Sequence, residues 1–367
     1  MTTLTEEISK RTRPGALSEP LDGNQIRCLA CGHRCPIPAG FAGVCRVRFN
    51  DKGTLRVPYG YVNAVNLDPI EKKPFFHAYP GSSALSFGML GCSLHCGYCQ
   101  NWVGSQALRD FRSVPSFRDT TPEALVERAV ADGASTVVST YNEPLITPEW
   151  GADVFAAARG AGLRTGIVSN GNASPEVISY LQPHLDLCKI DLKTMDDSRY
   201  HQLGGRLQPV LDSIGAIHAA GIWLEVVTLI VPGFNDSRPE LEAAARFLAG
   251  ISPDIPWHVT AFHPDYKMTD REPTPLGSLL RAVAIGLDAG LRYIYAGNLA
   301  GQVGDFENTR CPGCSGLLVE RRGYRVLRNV VTPAGTCPTC GTQIPGRWSG
   351  GGAPHRPDVH FLHLRCG

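Results

Sequence analysis

Between residues 84 and 296 the chain alternates short β-branched runs with segments of helical periodicity, and this alternation constrains the fold more than any other feature. Strand patterns lie at 84–89, 135–140, 163–169, 185–192, 223–231, 257–262 and 292–296. Helical patterns lie between them at 122–131, 147–161, 174–181, 210–220, 237–249 and 275–289, with Thr121 as an N-cap and Pro175 at a first helical position. A repeat of about 30 residues predicts parallel strands joined by crossover helices. The expected fold class is therefore α/β, a partial or near-complete TIM-like (β/α) barrel. In such a barrel chemistry sits at the carboxyl ends of the strands. The polar groups Asn142-Glu143-Pro144, Ser169-Asn170-Gly171, Asp191-Leu192-Lys193, Pro232-Gly233-Phe234, His263-Pro264-Asp265 and Gly297-Asn298 all follow predicted strands, which points to a single shared site.

Composition narrows the function. The 367 residues carry 35 Lys+Arg and 34 Asp+Glu, a net charge of +1, so no electrostatic footprint for general nucleic-acid binding exists. No apolar run approaches the ~20 residues of a membrane span. The first 24 residues hold no apolar segment, so no secretory signal is expected. The 13 cysteines are grouped: Cys28, Cys31, Cys35 and Cys45; then Cys92, Cys96 and Cys99; then Cys311, Cys314, Cys337 and Cys340. Such spacings suit thiolate-held metal in a reducing compartment and predict a cytoplasmic protein. Cys188 lies mid-strand and reads as a small buried apolar residue. Cys366, near His360 and His363, could bind metal adventitiously.

Cys92-Ser-Leu-His-Cys96-Gly-Tyr-Cys99 has the spacing CxxxCxxC, directly after the first predicted strand. Three such thiolates can hold three irons of a [4Fe–4S] cubane, leaving one iron open to an outside ligand. A zinc loop, or a plain redox cluster with a distant fourth Cys, is the alternative reading. The motif, with Tyr98 before its last cysteine, resembles the signature of the radical SAM superfamily. The resemblance implies that S-adenosylmethionine chelates the open iron and is cleaved by one-electron reduction to a 5′-deoxyadenosyl radical, which takes a hydrogen atom from the substrate.

The later motifs resemble the pyruvate formate-lyase-activating, or glycyl-radical activase, branch. Asn142 and Glu143, in Thr-Tyr-Asn-Glu-Pro, stand where that superfamily has a Gly-Gly-Glu motif, with Tyr-Asn replacing Gly-Gly. By this resemblance Glu143 receives the methionine ammonium, and Ser169 and Asn170 contact the cofactor. Asp191 and Lys193 lie near its carboxylate and ribose, His263 touches the ribose, and Tyr98 sits at the adenine. Each has a plainer reading: a helix cap for Glu143, a turn for Asn170, an ion pair for Asp191 and Lys193, a core histidine for His263.

Cys311-Pro-Gly-Cys314 and Cys337-Pro-Thr-Cys340, separated by 22 residues, form two knuckles around a predicted hairpin. Four such thiolates predict a closed structural zinc ribbon, with rubredoxin-like iron or an Fe–S cluster as alternatives. The leader set, Cys28, Cys31, Cys35 and Cys45, is a second metal site of open identity, zinc or cluster, with His33 as a spare ligand. Expected organisation is a flexible N-terminus (1–24), a Cys-rich leader (25–83), the barrel (84–307), the ribbon (308–346) and a flexible tail (347–367). Together the leader, signature, later motifs and ribbon resemble the radical SAM enzyme of the AmmeMemoRadiSam system. The family resemblance implies a flavodoxin- or ferredoxin-like electron donor and a protein or peptide substrate. Modification of a small molecule or RNA is the next reading, and a non-catalytic metal, redox or nucleic-acid-binding protein the third.

Overall fold

A computed structural model describes residues 3–349; Cys366, His360 and His363 lie outside the described residues. The core is one eight-stranded sheet whose order follows the sequence. Its strands are β1 (Ala64–Pro69), β2 (Ser83–Gly88), β3 (Thr136–Ser139), β4 (Arg164–Ser169), β5 (Leu187–Asp191), β6 (Trp223–Ile230), β7 (Trp257–Ala261) and β8 (Ile294–Gly297). From β2 to β8 every neighbouring pair is parallel, while β1 runs antiparallel to β2. The sheet does not close, because β8 and β1 are its two edges. It is a partial (β/α) barrel of parallel strands, as the alternation predicts.

Strands in this setting are buried on both faces, so they read as continuous apolar runs. In β2 and β3 every residue is buried. The crossovers are α1 (Pro122–Ala131), α2 (Pro148–Gly160), α3 (Pro175–Leu181), α4 (Leu207–Ala219), α5 (Arg238–Ile251) and α6 (Leu276–Asp288). Thr121 Oγ1 accepts from Ala124 N at 3.2 Å, and Ser174 Oγ accepts from Val177 N at 3.1 Å. Both are N-caps followed by proline at the first helical position, where its missing N–H costs nothing.

The open side is filled from two directions. The loop between β1 and β2 pushes Phe76 and His77 against the starts of β6, β7 and β8. Glu225 of β6, fully buried, accepts the Phe76 and His77 N–H groups at 2.9 Å each and pairs with His258 Nε2 of β7 at 2.7 Å. The C-terminal module, strands β9 (Thr309–Arg310), β10 (Leu317–Arg322) and β11 (Arg325–Asn329), docks on the same plug. Arg321 Nη2 donates to Phe76 O at 2.6 Å, and His77 Nδ1 lies 2.7 Å from Pro345 O. These groups are buried, so each polar atom needs the partner it has.

Part of the stretch expected as a loose N-terminus is built into the fold. Residues Leu4–Ser9 form a helix with Ile8 buried, and Thr12–Pro14 pairs with Thr54–Pro58. The leader residues Ile26, Ile37 and Val57 share one apolar cluster with Leu85 and Phe87 of β2. At the other end Arg347 N donates to His77 O at 2.7 Å.

Candidate active site

The carboxyl ends of the parallel strands open onto a cavity of about 370 Å³. Cys92, Cys96 and Cys99, in the loop after β2, all line it, as does Tyr98. Tyr98 is buried and meets the Phe234 ring edge-on at 5.9 Å between centroids. Burial pushes the Cys96 thiol up to about 11 and the Cys92 thiol upward, the latter helped by the nearby Glu143 carboxylate. In the absence of a cation these sulfurs therefore hold their protons.

Glu143 follows β3 and faces the same space. Its Oε1 accepts from Ser169 Oγ at 2.7 Å and from Leu145 N at 3.0 Å, and its Oε2 accepts from Asn170 N at 2.8 Å. Burial outweighs these donors and raises its carboxyl to about 7. Asn170 links the carboxylate to the signature loop, since its Nδ2 donates to Ser93 Oγ at 3.1 Å and points at Cys92 Sγ from 3.7 Å. Asn142 is used locally: its Oδ1 accepts from Met89 N at 3.0 Å, which ties β3 to the end of β2.

The third group comes from β5. Although burial opposes it, Lys189 and Lys193 on either side hold the Asp191 carboxyl down to about 2. Lys193 Nζ donates to Asp191 Oδ2 at 2.9 Å, and Lys189 Nζ contacts Asp191 Oδ1. All three line the cavity.

His263 stands apart from the other expected contacts. It is exposed, outside the cavity wall, and reaches it only through Gln100, whose Nε2 lies 2.9 Å from His263 Nε2. Several cavity residues were not expected as site residues. Tyr141, at φ 70°, donates its hydroxyl to Asp68 Oδ2 at 3.2 Å, and buried Lys73 lies 4.7 Å from its ring centre. Lys189 adjoins a motif that was recognised. Lys73 arrives from the loop after β1, and Tyr324 from the C-terminal module, so nothing local marks them.

The C-terminal thiols converge. The four sulfurs of Cys311, Cys314, Cys337 and Cys340 all lie within 4.8 Å of one another. Hydrogen bonds from Thr342 bring the Cys340 thiol down to about 6, favouring the thiolate a metal needs. Among the described residues this is the one such convergent set. The leader thiols are free, with Cys28, Cys31 and Cys45 buried and Cys35 half-buried. Cys188 is wholly buried within β5 and its thiol is pushed up by burial, which suits an apolar role. Among the described residues no helix is long and apolar enough to cross a membrane.

Comparison with known proteins accords with this site. The model of the Radical SAM superfamily matches residues 88–248, which run from the end of β2 into α5. An uncharacterized protein of Methanocaldococcus jannaschii is 37% identical over 335 residues, covering 90% of this chain and 98% of that one. An isethionate sulfite-lyase activating enzyme of Nitratidesulfovibrio vulgaris is 29% identical over 143 residues, 37% of this chain and 46% of that enzyme. The pyruvate formate-lyase-activating enzyme of Staphylococcus aureus is 24% identical over 192 residues, 47% of this chain and 72% of its own. With the CxxxCxxC loop at the mouth of a partial barrel, these matches place the chain in the radical SAM superfamily, as an enzyme with relatives among the glycyl-radical activating enzymes.

Proposed function

We propose that this enzyme binds a [4Fe–4S] cluster on Cys92, Cys96 and Cys99 and S-adenosylmethionine beside it, and removes a hydrogen atom from a protein or peptide. The observation that carries the reading is the sharing of one cavity by the three signature thiols and the Glu143 carboxylate. The donor set fits the groups: three thiols supply ligands for three irons, and a buried carboxylate supplies the partner that an ammonium requires. When bound, the cluster and cofactor supply the electron and the 5′-deoxyadenosyl radical that abstracts hydrogen.

The chain's own residues do the positioning. Ser169 and the Asn170 N–H fix the Glu143 carboxylate, so the ammonium meets an acceptor already oriented. Lys193, fully charged beside Asp191, offers a cation to a carboxylate or ribose oxygen. Tyr98 and Phe234 form an aromatic wall for the adenine. His263, at the rim with Gln100, serves the ribose only if it turns inward. The Cys311–Cys340 set holds zinc and keeps Tyr324 at the cavity edge. A cytoplasmic location, a flavodoxin- or ferredoxin-like donor and membership of the AmmeMemoRadiSam branch complete the reading; the activase relatives support the protein substrate.

Deuterium tracing tests the substrate class. The reconstituted enzyme is incubated with fully deuterated cell extract separated into protein, RNA and small-molecule fractions. Deuterium entering 5′-deoxyadenosine from the protein fraction supports the proposal. Transfer only from the small-molecule or RNA fraction overturns the protein reading.

A further inference from the structure

The C-terminal module leaves one edge of its sheet unpaired. Its strands run in the order β9, β10, β11, so β11 (Arg325–Asn329) has a neighbour on one side alone. Among the described residues no main-chain group of 325–329 bonds to anything beyond β10. Four of its five residues are exposed, and Leu327 leaves 51% of its surface in solvent. Val326 faces inward, where a Cβ added to Gly81 would stand 3.5 Å from its own Cβ. A free edge is a template for another strand, and proline or an inward-pointing charge commonly guards it. Strand β11 has no proline, and its inward residue is apolar.

The same edge is positively charged. Of the five arginines between 309 and 329, two are committed: Arg310 pairs with Asp305, and Arg321 faces the Glu71 carboxylate at 3.6 Å. Arg322, Arg325 and Arg328 are exposed, and among the described residues none of them has a hydrogen bond or an ion pair. Glu320, opposite Arg328 in the register, is the one acid in that stretch. The whole chain carries a net charge of +1, so the excess is local to this hairpin. Like charges repel a second copy of the strand and attract an acidic one. The sequence beyond 349 does not supply that acid, since Asp358 there is outnumbered by Arg356 and Arg365.

The strand starts at the cavity. Tyr324, the residue before β11, lines the cavity wall, and its hydroxyl lies 3.4 Å from Asn298 Oδ1 after β8. The turn that carries it is held in place. Gly323, at φ 59°, donates its N–H to Glu307 Oε1 at 3.0 Å, and the same oxygen accepts from Gly301 N at 3.1 Å. A segment laid along β11 therefore has one end at the cavity mouth.

We propose that β11 is a docking strand for an acidic peptide segment, which adds to its free edge and leads past Tyr324 into the cavity. Main-chain hydrogen bonds hold the segment, Arg322, Arg325 and Arg328 select its charge, and Leu327 meets an apolar side chain. A free main-chain edge has its counterpart in a peptide and none in RNA, so the arginines act here as selectors of a strand. Delivery into the cavity rests on the proposed function; binding along the strand does not.

Fluorescence anisotropy with the zinc-loaded full chain tests it, using a labelled short peptide of alternating Glu and Val. The probe is expected to bind, and its Lys–Val counterpart to bind about tenfold more weakly or worse. Arg325→Glu/Arg328→Glu should weaken the Glu–Val probe by about tenfold or more while the ribbon zinc is retained. N-methylation of alternate residues removes the donors along one edge of the probe, and at least one of the two such probes should lose about tenfold. Bound probe should also slow hydrogen exchange of the amides at 325–329. Equal affinity for the Lys–Val peptide, indifference to N-methylation, or protection confined to other segments overturns the docking strand. So does binding of an oligouridine in place of the peptide, or peptide binding only after residues 350–367 are removed. For delivery, saturating probe should lower deuterium transfer from the protein fraction to 5′-deoxyadenosine by about tenfold, and unchanged transfer overturns that part. Failure of the native enzyme to cleave S-adenosylmethionine would instead count against the proposed function, leaving the binding result standing.

Discussion

Ser169 donates its hydroxyl to the Glu143 carboxylate at 2.7 Å, joining the carboxyl ends of β4 and β3 at the floor of the cavity. The contact orients a buried acid whose carboxyl is raised to about 7 by burial, against 4.5 for a free glutamate. The folded chain thus keeps a proton that the unfolded chain has released, so Glu143 makes stability fall as pH rises from about 4.5 to 7.

Glu143→Gln should therefore flatten that part of the stability profile of the metal-free protein, measured by urea unfolding across pH. Glu71, also raised to about 7 by burial, keeps its own share of the slope. A cationic ligand favours the ionised carboxyl, so S-adenosylmethionine binding should tighten as pH rises through 7 in the native enzyme. In the variant it should weaken by about ten- to a hundredfold, the value of a charge-assisted hydrogen bond, and lose its pH dependence. Unaltered affinity in calorimetry would remove Glu143 from the cofactor site.

Arg48 and Glu149 form an ion pair with both side chains 1% exposed. Truncating one member strands the other charge in the interior. Glu149→Ala should lower unfolding stability by about 3–5 kcal/mol. A loss under about 1 kcal/mol, typical of an exposed pair, would show that solvent reaches Arg48.

The ribbon carries Arg321, whose guanidinium reaches Phe76 O and Thr309 Oγ1 at 2.6 and 2.9 Å. The module thus docks on the barrel through the strand that lies between its two thiol pairs. Cys340→Ser should lower zinc content by one equivalent and open the hairpin at 322–325 to limited proteolysis. Retained zinc with unchanged proteolysis would separate the thiols from the fold of the module.

The parallel strands were legible because each is buried on both faces and cannot hide its β-branched run; every one falls within about two residues of its expected position. The cap Thr121 and the first-position Pro175 were legible because a side-chain oxygen before proline, and a proline opening a helical pattern, each mark a helix start. Strand β1 was not, since Ala64–Pro69 carries Asn66 and Asp68 and ends in proline, so it lacks both apolar continuity and clean alternation. The cavity residues Lys73 and Tyr324 were invisible for another reason. They reach the site through tertiary contacts from the plug and the ribbon, and no local spacing encodes that meeting. His263 followed the right strand, but its loop turns the ring outward to Gln100.

The most direct test of the central claim is anaerobic reconstitution followed by dithionite and S-adenosylmethionine, with 5′-deoxyadenosine and methionine quantified. The account predicts both products from the native enzyme and neither from Cys96→Ala, whose ribbon zinc is unchanged. A native enzyme that carries its cluster yet forms no 5′-deoxyadenosine would contradict it.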